Sequence, residues 1–348
     1  MGVHQCSFVT QARSQHQEHC GCLDGLTDTF GHVLERRQLM PLMHGDALTL
    51  YSSWGPPRVI ISDGPYGING YKGDLRSEKN LPIWYKPHVQ AWYKYAPAGT
   101  TLWFWNTEVG WAHVHHTIIA AGWEYRGCNI WDKGIAHIAG NCNSRTMRKF
   151  PVVTELCAHY IKRGASMQWM RSEWERSGIP LYKANEAAGV KNAASRKYLT
   201  LDSNLWYPPP TETMALMVDF LGKHGDPKGK PYFHIDGAPW TRELWDRERA
   251  VFHLEQGITN VWASPPLRSP ERLRLGGKTK HPNQKPMLLI RQLIRTSSDP
   301  GDVVWDPFSG TGTTAVCAHL EGRSFFGSEI DPDFFKAAQD RIKAIIPA

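Results

Sequence analysis

No run of this sequence approaches the roughly 18 consecutive apolar residues that a helix needs to cross a bilayer, so no membrane partner is expected. The opening residues and the polar stretch after them lack the apolar segment of a secretory leader, which points to a cytoplasmic protein. Cysteine is scarce: seven residues, an odd number, are scattered through 348, a usage that suits reduced thiols rather than a disulfide framework. His16, His19, Cys20 and Cys22 do cluster, but their spacing is cramped and no second ligand pair follows, so no metal site is expected. Self-similarity at the periods of solenoid repeats is also missing.

What is present describes a globular chain. A hydrophobic share of 41% against 21% charged residues is enough to bury a core, and the length suits one catalytic core with one accessory module. The formal charge of +7 favours a polyanionic partner. Fifteen Trp residues supply core volume first, although the same ring stacks on nucleobases.

Residues 1–38 are polar and aperiodic and are expected to form an extension. Arg58-Val-Ile-Ile-Ser62 is a short β-branched run that ends in Asp-Gly-Pro-Tyr, the pattern of a buried parallel strand entering a loop. Strands are expected again at Thr101–Asn106, Trp123–Trp131 and Pro151–Tyr160, with a helix over Val109–Ala121; this alternation predicts an α/β sheet. From 164 to 256 the texture changes to charged helical stretches broken by Pro and Gly, which reads as an inserted module between core halves at 39–163 and 257–348. The sheet resumes at Asn260-Val-Trp262, then a helix from Lys285 to Thr296 and a strand at Asp302–Asp306.

Asp306-Pro-Phe-Ser-Gly-Thr-Gly-Thr-Thr314 joins that strand to a helix ending at Leu320, followed by a strand at Ser324–Ile330. Gly310 and Gly312 permit a tight turn and close approach of a ligand to the backbone, and Glu329 lies where an acidic residue accepts from ribose hydroxyls. An adenosine-bearing cofactor is the reading. Gly310, Gly312 and Ala315 also satisfy a dinucleotide fingerprint, so a nicotinamide-dependent oxidoreductase is a rival. Against it, only one helix, Pro332 to Ile346, follows, and the remaining strands must come from earlier in the chain.

Taken in order, Leu42-Met-His-Gly-Asp46 just ahead of the first strand, Asp63-Gly-Pro-Tyr66, Ile130-Trp-Asp-Lys-Gly134, His281-Pro-Asn-Gln-Lys-Pro286, Phe308-Ser-Gly-Thr-Gly312 and Gly327-Ser-Glu-Ile-Asp331 form a set. In that order the chain resembles the beta class of DNA amino-methyltransferases. The resemblance implies a Rossmann-like, circularly permuted α/β fold that uses S-adenosylmethionine, with a mainly helical target-recognition insert. It also implies double-stranded DNA as partner and a base flipped out of the duplex, and leaves a partner restriction endonuclease and a homodimer open.

The resemblance carries over Asp63, Gly64, Pro65 and Tyr66 as the catalytic loop. Gly64 stands where the family usually has proline, which loosens the loop. Asp63 and the Gly64 carbonyl would accept the two amine hydrogens, and Tyr66 would stack on the flipped base. Around the cofactor it implies Asp46 at the adenine amino group, Glu329 at the ribose, and Asn283 and Lys285 at the carboxylate. Asp306, Phe308, Ser309, Gly310, Gly312 and Thr313 form the loop about its methionyl portion. Asp at the loop's first position favours adenine N6, with cytosine N4 as the alternative. Cytosine C5 chemistry is disfavoured because no Pro-Cys dipeptide occurs. A non-catalytic DNA-binding protein on the same scaffold is a further alternative.

Within the insert, residues 181–199 read as helix, Gly189 turn, helix. Ala184, Ala188, Val190, Ala194 and Tyr198 would face inward, and Lys191, Asn192, Ser195, Arg196 and Lys197 would face out toward DNA. An ordinary helical hairpin with a solvated basic face fits the same pattern.

Overall fold

The β-branched and aromatic runs become strands where expected, and one further strand precedes them. The computed structural model describes residues 40–70, 73–135, 148–164, 167–201, 207–235, 237–249, 252–265, 267, 274–275, 279–280 and 284–345. The expected extension 1–38, the His16–Cys22 cluster and the stretch 281–283 with Asn283 lie outside the described residues. The described residues all belong to one compact unit.

The strands are β1 (Leu42–His44), β2 (Val59–Ser62), β3 (Thr101–Asn106), β4 (Glu124–Asp132), β5 (Thr154–Ile161), β6 (Val261–Ala263), β7 (Arg274–Leu275), β8 (Thr279–Lys280), β9 (Val303–Asp306) and β10 (Ser324–Glu329). Eight of them make one sheet in the order β1-β10-β9-β2-β3-β5-β4-β6, while β7 and β8 pair as a short hairpin. Every neighbour in the large sheet is parallel except β5, which runs antiparallel to both β3 and β4. The segment Leu42–Asp46, expected ahead of the first strand, is itself the edge strand β1 and the residues that follow it.

The helices are α1 (Ala47–Leu50), α2 (Leu81–Tyr95), α3 (Glu108–Ala120), α4 (Met167–Arg176), α5 (Ala184–Ala187), α6 (Thr211–His224), α7 (Arg242–Glu248), α8 (Met287–Ser297), α9 (Thr313–Leu320) and α10 (Pro332–Ile345). Helices cover both faces of the sheet, so β2 and β3 are buried throughout and read as near-continuous apolar runs. Ile60, Leu102 and Phe104 point to α2 and α3, where they meet Tyr85, Val89, Trp92, Val114 and Ile118. Val59, Ile61, Trp103 and Trp105 point the other way, to α8 and α9. Helix α8 shows why this works: Leu289, Ile290, Leu293, Ile294 and Ser297 are buried at three- and four-residue spacing, one stripe of a helix. A third core of Met170, Trp174, Met214, Met217, Leu221, Phe233 and Trp245 lies within α4 to α7.

The segment 181–199 departs from two regular helices. It folds as a turn at Leu181–Lys183, the four-residue α5, a left-handed Gly189, and a five-residue π-helical turn over Ser195–Leu199. Ala193 has φ of 66°, which breaks the helical path before Ser195, and Asn185 pins the far side by accepting from Ala194 N at 3.0 Å.

Candidate functional site

Strand β2 ends in the Asp63 loop and β9 ends in the glycine loop. The two strands are parallel neighbours, with Ile60 opposite Trp305, although they come from opposite ends of the chain. From β9 the chain proceeds outward to β10, and from β2 outward to β3, so the crevice between them is a topological switch point, where α/β sheets bind ligands. One cavity of about 440 Å³ opens there and is lined by both loops, a size ordinary for a small-molecule site. Asp46, Asp63, Gly64, Pro65, Tyr66, Lys285, Asp306, Phe308, Ser309, Gly310, Thr313 and Glu329 all line it. Gly312 has φ of 75° and caps α9, and a Cβ there would stand 3.1 Å from that of Ala338 in α10.

The catalytic-loop candidate is rigid without proline at position 64. The Pro65 carbonyl accepts from Tyr85 Oη and from Asn106 Nδ2, each at 3.1 Å. The Asp74 carboxylate accepts from the backbone nitrogens of Tyr66, Gly67, Ile68, Gly70 and Leu75 at 2.8–3.1 Å. Gly64 itself answers to packing: a Cβ there would lie 2.6 Å from Tyr85 Oη and 2.8 Å from Phe308 Cδ2. The missing side chain is the room taken by the glycine loop's Phe308.

On the other side of the crevice, Glu329 Oε2 accepts from Gly310 N at 2.7 Å and its Oε1 from Asp331 N at 2.8 Å, tying the strand end to the glycine loop. Asp306 Oδ1 accepts from Phe308 N at 3.1 Å, and burial, with some help from Asp63 and Glu329, pushes its carboxyl up to about 7. Burial also raises the Glu329 carboxyl. Asp46 caps α1 by accepting from Leu48 N at 2.9 Å. These carboxylates face one concavity, yet among the described residues no group of three or more His, Cys, Asp or Glu side chains is arranged to hold a metal ion. An acidic lining with glycine-backed turns fits a ligand that carries positive charge beside an adenosine, as a sulfonium nucleoside does.

Two placements differ from expectation. Lys285, expected at the cofactor's carboxylate, is instead engaged by the Asp63 loop. Its ammonium, 4% exposed, lies 2.7 Å from Asp63 Oδ1, 2.9 Å from Glu155 Oε1 and 3.0 Å from Tyr66 Oη. Tyr66 is only 4% exposed, and its hydroxyl reaches Asp63 Oδ1 at 2.9 Å and Glu155 Oε1, while Lys285 Nζ stands 5.3 Å from the ring centroid. Its ring therefore has little free surface for stacking on a base.

Burial raises the Asp63 carboxyl, and the charge of Glu155 adds to this against the lowering effect of Lys285. Burial also favours the neutral form of Glu155, but Lys285 and Lys133 outweigh it and hold that carboxyl down to about 2. For Lys285 burial works against the charge, and the two carboxylates overcome it and hold the ammonium protonated well above its ordinary range.

Several lining residues escaped the sequence reading. Helix α2 contributes Ile83, Trp84, Pro87 and His88 to the cavity; Pro82 at its start was a helix signal, and Pro87 inside it masked the pattern. The aromatic wall is continuous, with Trp84 5.3 Å from Phe308 and 4.6 Å from His88 between ring centroids. Glu155 was a lone acid in the apolar run of β5, a signal in itself, since buried carboxylates occur paired.

Of the proposed DNA-facing residues, Lys191, Asn192 and Arg196 are exposed, while Ser195 and Lys197 are half-buried. Ala184, Ala188, Ala194 and Tyr198 point inward, but Val190 is 39% exposed.

The model of the N6/N4 DNA methylase family matches residues 58–340. Over 83 residues the chain is 40% identical to the DNA adenine methyltransferase YhdJ of Escherichia coli (strain K12), covering 24% of this chain and 27% of that protein. Over 102 residues it is 39% identical to the type II methyltransferase M.HinfI of Haemophilus influenzae, covering 28% of each. The matched stretches thus span little more than a quarter of those relatives' own length. Among solved structures the fold is similar to that of the cytosine-N4-specific PvuII DNA methyltransferase, with a TM-score of 0.51 and 13% identity over 87% of this chain and 90% of the other.

Proposed function

The chain belongs to the N6/N4 DNA methylase family, and from that premise we propose that it transfers the methyl group of S-adenosylmethionine to the N6 amino group of adenine in duplex DNA. The observation that carries this reading is the single cavity shared by Asp63 and the Gly310 turn, reached from neighbouring parallel strands. Asp at the first loop position and the adenine activity in the name of the Escherichia coli relative favour adenine over cytosine.

An exocyclic amine is a weak nucleophile because its lone pair is delocalised into the ring. Asp63 and the Gly64 carbonyl accept its two hydrogens and favour a pyramidal nitrogen, so positioning and electrostatics carry the step. S-adenosylmethionine, when bound, supplies an electrophilic methyl group on a sulfonium. Glu329 would hold the ribose and the glycine loop would surround the methionyl portion, and the surrounding carboxylates favour the positive charge. The methylated nitrogen then sheds a proton, and Asp63, whose carboxyl lies above its ordinary range, is the base beside it. Because the amine lies inside the helix, the nucleotide must leave the stack to reach this recess. Lys191, Asn192, Ser195, Arg196 and Lys197 are proposed to meet the phosphates and base edges.

Duplex DNA methylated by the purified chain, digested to nucleosides and weighed, tests the assignment. N6-methyldeoxyadenosine is expected; N4-methyldeoxycytidine would move the target to cytosine, and no modified base would remove the reading.

A further inference from the structure

Two carboxylates, the half-buried Asp63 and the buried Glu155, share one ammonium and one phenol, and the reading above uses only the first. We propose that Glu155 is a positioning residue for the amine acceptor: it draws Lys285 and Tyr66 toward itself, so that Asp63 is held through Oδ1 and keeps Oδ2 for the target amine. This inference rests on the methyl-transfer reading of the site.

The geometry supplies the asymmetry. An ammonium has three donors, and Lys285 spends them on Asp63 Oδ1, Glu155 Oε1 and Tyr66 Oη at 2.7, 2.9 and 3.0 Å. Tyr66 has one proton and stands between the same two oxygens. Both contacts to Asp63 fall on Oδ1, and among the described residues no hydrogen bond reaches Oδ2. Glu155 has a cation at each oxygen, because Lys133 Nζ lies 2.8 Å from Oε2. Without the negative charge at 155, Lys285 loses its second anchor. Its ammonium then recentres on the Asp63 carboxylate and competes with the amine for Oδ2.

Charge reaches Asp63 from every side of this pocket. Tyr66 lies in its own loop, Lys285 ahead of α8, Glu155 and Cys157 on β5, Asp306 on β9, and Lys133 beyond β4, through Glu155. Asp63 must be ionised to accept the amine hydrogens, so activity falls as pH drops through its raised range. Removing an anion beside it moves that acid limb down in pH, and removing a cation moves it up.

The test is single-turnover methylation of duplex DNA by the full chain, at saturating S-adenosylmethionine, across pH. Glu155→Gln is expected to lower the rate about 10²-fold, the scale of an ångström-level misplacement, to shift the acid limb to lower pH, and to leave cofactor affinity by calorimetry unchanged. Glu155→Asp keeps the charge and is expected to keep the limb where the parent has it. Lys133→Met is expected to move the limb to higher pH. A Glu155→Gln rate equal to the parent's, or a slower rate with an unmoved limb, overturns the proposal. Should Glu155→Gln fail to fold, Lys133→Met decides alone, and an unmoved limb there overturns it. Asp63→Ala separates the two levels: retained transfer in that variant sinks the methyl-transfer reading, whereas lost transfer beside an unaffected Glu155→Gln sinks this inference alone.

Discussion

Replacing Gly64 by alanine is a small change with a calculable consequence. The added Cβ would stand 2.6 Å from Tyr85 Oη and 2.8 and 2.9 Å from Cδ2 and Cε2 of Phe308, so a neighbour must move by about 0.5–1 Å to reach ordinary contact. Neither yields freely. Tyr85 donates to the Pro65 carbonyl at 3.1 Å and packs edge-on against Phe104 at 5.0 Å, and the Phe308 ring is held by Trp84 and His88 at 5.3 and 5.1 Å. Overpacking of this kind costs about 1–3 kcal/mol. Because Phe308 belongs to the cofactor loop, strain taken up there appears as weaker S-adenosylmethionine binding, by roughly 5- to 150-fold if the loop takes all of it. Chemical denaturation and calorimetry on Gly64→Ala measure both. Repeating the substitution in a Phe308→Ala background should cost less, with a coupling of about 0.5–3 kcal/mol. A Gly64→Ala protein as stable as the parent and binding cofactor equally well would refute the claim that packing against Phe308 selects glycine here.

Glu329→Ala should weaken S-adenosylmethionine binding by about 1.5–3 kcal/mol, the worth of hydrogen bonds to a charged group, and calorimetry showing unchanged affinity would remove Glu329 from the ribose. Arg196→Ala with Lys197→Ala should lower the slope of log affinity for DNA against log salt by about 2; an unaltered slope takes this surface out of the interface.

The sheet strands were legible because their cause is local: β2, β3 and β9 are short apolar runs bounded by turn residues, and one buried stripe marks α8. Helix α2 was missed because Pro87 lies inside it, where tertiary packing of Tyr85, Val89 and Trp92 overrides a poor propensity. The helix-turn-helix reading of 181–199 rested on spacing alone, and spacing does not report the left-handed Ala193 that shortens the second helix to a π-helical turn. Asp63 and the glycine loop could be paired from motif order. The partners of Lys285 could not, since Glu155 approaches from β5 and Tyr66 from the β2 loop only once the sheet has closed. Gly64 looked like a loosened loop in sequence; in the fold the rigidity comes from Asp74, Asn106 and Tyr85, none of which a one-dimensional motif includes.

The proposed transfer depends most on the Asp63 carboxylate as acceptor for the reacting amine. Single-turnover transfer from S-adenosylmethionine to duplex DNA by purified Asp63→Ala, with cofactor binding checked on the same sample, measures this directly. A loss of at least about 10²-fold with cofactor binding retained is predicted; transfer at the parent's rate would contradict it.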